Sequence, residues 1–497
     1  MSRKFVSKLV KLSSEFDVDA TVYLALDQRN TRQAQKITTL KKYVDKHPSG
    51  WKKRLELAEL LYETGQWAEA IVEYKQVINR QPQLIQAYIQ LGKILQFMFR
   101  EKEAIATYRT AITFTSYDAT KHYLQGLVAD CLHDRLGAIS AFQKAANSDP
   151  NSLISWLALG KMQMLIESPI DALSSFEHML SIDPNDFMAL IYSHDLLLHL
   201  GNYSEAETRL KKATKIAPND IQTLKRNLAY RYRQRLVNES AGKQTKQLLN
   251  TLMTQANGLP EAHSLLARYY ILRKQPQKGR QMLQRCTEEQ AHNPQAWYYY
   301  GLCLQSLGEM TAAAEALLKA YTLSGTRCDR EIYRALCNVL PSLGKQEQTR
   351  ELMTEMLRKF PESWSLWALV GKILVEHFQE IELGCRYAQH GVSLQPKLAD
   401  ACFAQGRVLA LAEKSSSAIA AFNQGWALRY PGSQSLNAIS AATWMGESQQ
   451  KLGQQKAAQR WLHWASEQAE RLLAYHPEKA KYWYERAQRA LALDSND

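Results

Sequence analysis

A 34-residue period constrains this chain more than any other feature of its sequence. Pro150 to Pro184 and Pro184 to Pro218 are each one such step, Pro82 to Pro150 is two, and Ser116 occupies the vacant beat. Between them small and aromatic residues recur in one order: Ala58, Ala70 and Tyr74; Gly92, Ala104 and Tyr108; Gly126, Ala138 and Phe142; Gly160, Ala172 and Phe176. A period of this length marks stacked supersecondary units. Counted from Trp51, Ile85, Ala119 and Leu153, each frame has a small residue at position 8, Ala at 20 and an aromatic at 24. That spacing holds a helix, a turn and a second helix, with Gly65-Gln66, Arg100-Glu101 and Gly201-Asn202 at the turns. The small residues let two helix axes approach, and the aromatic is expected to fill the wedge against the next hairpin. Proline near position 32 ends the second helix, because it lacks an N–H and clashes with the preceding turn. One hairpin cannot bury its apolar face alone, so stability accumulates by stacking.

The order W-x-x-L-G-x-x-Y, then A-x-x-x-F, then A and P resembles the tetratricopeptide-repeat family. The resemblance implies an all-α, right-handed superhelical solenoid of about a dozen antiparallel helical hairpins. Residues 1–50 read as an irregular capping hairpin and 51–220 as a regular array. Residues 221–259 read as a degenerate repeat with an insertion, since the step from Pro218 to Pro260 exceeds one repeat by eight. In a second array, 260–433, the small residue follows proline by seven (Pro260 to Ala267, Pro294 to Gly301) instead of ten, which reads as a change of phase. The frame from Cys328 keeps little beyond Ala335 and Pro361. A C-terminal hairpin and capping helix, 434–497, complete the chain.

Charge and motif searches narrow the function. Seven cysteines without a C-x-x-C pair, and twelve histidines without H-E-x-x-H spacing, give no disulfide framework or metal site and fit a reducing, cytoplasmic compartment. Gly242-Lys243 lacks the glycine and the Ser or Thr of a phosphate loop, having Val237 and Gln244 there. No catalytic signature and no cofactor motif is found, so no enzyme is expected. No apolar run is long enough to cross a membrane; Met1 to Phe16 reads as a basic amphipathic capping helix. The formal charge of +13 is concentrated: residues 1–50 carry ten basic and five acidic side chains, and 221–250 carry seven basic against Glu239 alone. Such a distribution points to discrete acidic contacts. Lys225, Arg226, Arg231, Arg233 and Arg235 alternate with Tyr230 and Tyr232, a pattern open to three readings. It serves nucleic-acid binding, with tyrosines stacking on bases; or an ordinary helix burying Leu228, Tyr232 and Leu236; or a basic patch for an acidic peptide.

The resemblance also implies a concave groove lined by first helices, with positions 5 and 9 facing a bound protein segment. Position 5 supplies Leu55, Ile89, Tyr123, Leu157, Ile191, Lys225, Tyr298, Ile332 and Phe403; position 9 supplies Glu59, Lys93, Leu127, Lys161, Asp195, Arg268, Lys372 and Arg407. An apolar row beside a mostly basic row suits a peptide or protein partner with apolar and acidic anchors. The chain departs from the subclass that clamps chaperone C-termini: its frames offer Leu55, Glu59, Gln90, Thr120 and Leu124 where that clamp has Lys, Asn, Asn, Lys and Arg. The leading expectation is a non-catalytic interaction scaffold, with a regulatory or targeting subunit of a separate enzyme, or nucleic-acid binding through 221–250, as alternatives.

Overall fold

The computed structural model describes residues 20–98, 100–234, 239–256, 259–325, 328–430 and 435–494. Among them every regular element is a helix. The Ala20–Lys46 helix leads, twelve antiparallel hairpins follow from Trp51 to Leu472, and the Pro477–Asp494 helix comes last. From Tyr23 onward the chain divides into two compact units, Tyr23–Ser193 and His194–Asp497.

The hairpins pack as the small residues dictate. The aromatic at position 24 lies over the small residue of its own hairpin, and Phe176 also stacks on Tyr192 of the next one at 5.1 Å between ring centroids. A Cβ added to Gly92 would stand 2.2 Å from Tyr108, to Gly126 2.4 Å from Phe142, to Gly160 2.7 Å from Phe176, and to Gly406 2.5 Å from Phe422. Ala58, Ala70 and Tyr74 meet the same demand with a methyl, and all three are buried.

Among the described residues, the turns of ten hairpins reverse the chain through one left-handed residue. Gly65, Gly201, Gly308, Gly344 and Gly453 take this conformation at φ between 70° and 80°. His133, Glu167, Lys274, Gln379 and Glu413 adopt it at φ near 58° despite carrying side chains.

The apparent phase change at Pro260 is a change in where proline sits, and the helical frame is preserved. Pro82, Pro150, Pro184 and Pro218 fall in the loops between hairpins, whereas Pro260 and Pro294 occupy the first turn of the Pro260–Leu272 and Pro294–Ser306 helices. There the missing N–H has no intrahelical partner to lose. Counted from helix start to helix start, the step from Ile221 to Pro260 exceeds the period by five, and that is the length of the insertion. The other three belong to the move of proline. Much of the excess lies in Glu239–Ala256, 18 residues against the 14 of Trp67–Arg80 or Arg135–Ser148. In the degraded frame Pro341 stops the Arg330–Val339 helix after ten residues and opens a 3-10 turn ending at Gly344.

Candidate functional site

Within Tyr23–Ser193, the position-5 residues do not form an exposed row. Ile89, Tyr123 and Ile191 are 6%, 5% and 1% exposed and belong to the packed interior. Leu157 is half-buried and keeps some surface. The position-9 residues behave differently. Lys93, half-buried on the Ile85–Phe97 helix, has its pKa lowered, first by burial and then by the positive charge of Lys161. Lys161 lies two repeats later on Leu153–Leu165 and stands 5.6 Å from the Tyr192 ring. Lys161 is thus within electrostatic reach of Lys93 across two repeats, and no carboxylate among the described residues pairs with either lysine. Beside them Gln96 donates to Asp130 at 3.1 Å and accepts from Tyr108 at 2.8 Å, tying neighbouring first helices together.

Within His194–Asp497, first helices pack on the first helices of adjacent hairpins as well as on their own partners. Here the basic segment is taken apart by its neighbours. Lys225 pairs with Glu261 at 2.6 Å, and Arg226 grips Asp195 through two N–H groups, one at 2.9 Å. Arg231 turns to the second helix of its hairpin and donates to Thr245 Oγ1 at 2.7 Å. Arg235 and Leu236 lie outside the described residues. Tyr232 is no stacking platform, being 2% exposed with its hydroxyl donating to the Leu265 carbonyl, while half-buried Tyr230 donates its hydroxyl to Glu207. Leu228 and Tyr232 form the buried stripe of an ordinary first helix, which takes Tyr232 out of the base-stacking reading. Arg233 is half-buried, and burial lowers its pKa. Tyr298 is half-buried beside Tyr299, at 5.3 Å between ring centroids. Phe403 is 1% exposed, wedged edge-on against Trp426 at 5.6 Å, so it has no surface for a partner. Arg407 has its pKa lowered by burial, with Asp400 partly offsetting it.

The residues that sequence reasoning missed are those that close this unit on itself. Tyr203 stacks on Tyr475 at 4.6 Å and meets His476 at 5.4 Å. It shares a buried cluster with Ile439, Leu462, Ala480 and Ala487 of the last three helices. His199 reaches Asp400 at 3.5 Å. Contacts between positions so distant in the chain leave no periodic trace; the dense tryptophans at 426, 444, 461, 464 and 483 are the one sequence hint of an unusual C-terminal interior.

Profiles described as tetratricopeptide repeat match residues 20–83, 85–116, 167–228 and 264–327. The chain is a tetratricopeptide-repeat protein. No curated protein matches it significantly. Among solved structures it is similar to yeast Tom70, with a TM-score of 0.45, 14% identity, and coverage of 83% of this chain and 96% of that one. It is also similar to the Cut9-Hcn1 hetero-tetramer of the APC/C, with a TM-score of 0.37, 16% identity, and coverage of 98% and 99%. A third is YrrB, described as a tetratricopeptide-repeat protein with an unusual peptide-binding site, with a TM-score of 0.25, 20% identity, and coverage of 38% and 97%. Repeats of this family build protein-interaction scaffolds, typically without catalysis. Among the described residues no His, Cys, Asp and Glu cluster is arranged to hold a metal, and no helix is long and apolar enough to cross a membrane.

Proposed function

We propose that this tetratricopeptide-repeat chain is a non-catalytic scaffold that holds an extended or helical segment of a partner protein against the first helices of its Tyr23–Ser193 unit. The observation that carries the reading is the convergence of Lys93 and Lys161 without a paired carboxylate, beside Leu157 and the Tyr192 ring. A half-buried lysine loses hydration and is repelled by a second positive charge, a cost that an acidic side chain from a partner offsets. Leu157 and Tyr192 supply apolar contact next to that charge. Burial of Ile89, Tyr123 and Ile191 moves the recognition surface from position 5 to position 9. Seven unpaired cysteines, six of them buried, accord with work in the reducing cytoplasm.

The test is affinity purification from the native source with wild-type protein and with Lys93→Glu/Lys161→Glu. Both lysines retain solvent contact, so the double variant is expected to keep its helical circular dichroism. A specific co-purifying protein recovered by wild type and lost by the variant supports the reading; equal recovery overturns it. A catalytic chain recovered in fixed proportion would make this protein that enzyme's targeting subunit.

A further inference from the structure

We propose that the cleft between the second helices Ile381–Leu394 and Ser415–Ala427 binds an extended peptide segment that carries a carboxylate. The cleft lies wholly within the His194–Asp497 unit. It is separate from the Lys93 and Lys161 face, and neither site depends on the other.

The cleft measures about 480 Å³, within the range of natural ligand sites. Its floor comes from the first helix Ala399–Leu411, which contributes Gln405 and Leu409, each 8% exposed. Ala420 and Ala421 line it from Ser415–Ala427, and side chains this short leave the space open. Half-buried Cys385 lines it from Ile381–Leu394. Burial raises the pKa of its thiol, which therefore stays protonated and acts as apolar surface.

The polar groups select the ligand. Gln405 donates from Nε2 to Oε1 of Gln389, which leaves the Gln405 carboxamide oxygen and the Gln389 Nε2 without a second partner among the described residues. One free acceptor beside one free donor matches the edge of a peptide bond. Because Gln405 is buried, its unmet oxygen gains more from a ligand than an exposed amide would. At the rim Glu382 is already held by Lys414 at 2.6 Å, whereas Arg386 makes no ion pair among the described residues. A guanidinium left over in this way meets a carboxylate with two parallel N–H groups. Gln424 and Ser417 on the facing helix add donors and acceptors for the rest of the segment. Among the described residues no aromatic ring lines the cleft, so it offers nothing on which a nucleic-acid base would stack.

The full-length protein is tested through Cys385, the one cysteine that is not fully buried. Its alkylation by N-ethylmaleimide is followed by mass mapping, alone and with the probe peptide acetyl-Ala-Glu-Ala-amide. Parallel runs use acetyl-Ala-Lys-Ala-amide and free glutamate. With the glutamate peptide about tenfold above a Kd on the order of 1 mM, about a tenth of the sites stay open, so labelling is expected to slow about tenfold. Arg386→Gln, at an exposed position, removes a charge-assisted contact and about tenfold in affinity, so the slowing is expected to drop to about twofold. Gln405→Leu removes the carboxamide from the floor and is expected to lose the protection as well, with a thermal melt to check that the fold is kept. Slowing by the glutamate peptide alone, weakened in Arg386→Gln, supports the proposal. No slowing in the wild type, equal slowing by the lysine peptide or by free glutamate, or full slowing retained in Arg386→Gln overturns it.

Discussion

A methyl group on Gly92 would sit 2.2 Å from Cε1 of Tyr108, a fully buried ring whose hydroxyl is held by Gln96. Gly92→Ala is therefore expected to cost about 1–3 kcal/mol by overpacking, measured as a lower chemical-denaturation midpoint. At the turns the logic reverses. Glu413 is exposed and bears the left-handed backbone penalty at φ 58°. Glu413→Gly removes a strain of about 1–2 kcal/mol, partly offset by the greater freedom of glycine in the unfolded chain. A net gain of roughly 0.5–1 kcal/mol is expected in the same assay. Gly65→Ala runs the other way: nothing lies within 4 Å of the added Cβ, so any loss of stability is backbone strain alone. Among the cysteines, Cys385 is the one not fully buried, so native-state alkylation is expected to label it first. Mass mapping that finds Cys337 or Cys402 ahead of it would show the interior opening before the surface reacts.

At the scale of the element, the sequence showed the hairpins well and misjudged their punctuation. Small-to-aromatic spacing is legible because it reflects contact within one hairpin, between positions 8 and 24 of a frame. Proline is ambiguous, since the same residue serves equally in the loop after a second helix and in the first turn of the next first helix. Reading Pro218 and Pro260 as equivalent overstated the insertion at Glu239–Ala256 by three. The basic segment 225–233 failed for a different reason. Charge is visible in sequence, but its partners are not: Glu261 and Asp195 stand 36 and 31 residues away from Lys225 and Arg226. Truncating Glu261 to Ala frees Lys225, a change that should leave helical content intact and strengthen binding to anionic resin at low salt.

Closure of the His194–Asp497 unit is a whole-molecule property. Tyr203, 7% exposed, carries the contact to the last three helices. Tyr203→Ala is expected to cost on the order of 3 kcal/mol and to raise hydrogen exchange in the Pro477–Asp494 helix, with exchange in the Trp51–Glu63 helix unchanged. Equal exchange at 477–494 in variant and wild type would mean the contact contributes no closure. The same contact is expected to respond to acid. His476 is pushed down to about 4, first by burial and then by the positive charges of Arg233 and Lys479. Between about pH 6.5 and 4 the unfolded chain binds the proton that the folded chain refuses, so stability falls as pH falls through that window. His194 and His263, also depressed by burial, add to the loss. His476→Gln should flatten part of the pH dependence of the melting temperature, and an unchanged profile would assign the loss to the other two.

By itself the sequence determined the repeat, the hairpin and the helix partners within it, because each depends on contacts repeated at short range and is written many times over. It also located the charge. Only the tertiary structure decided which of those charges stay unpaired, which groove positions keep any surface, and that Tyr203 meets Tyr475 and His476. Those outcomes depend on where the accumulated curvature of many stacked hairpins brings distant side chains, and a small rotation per repeat leaves no mark on any single residue.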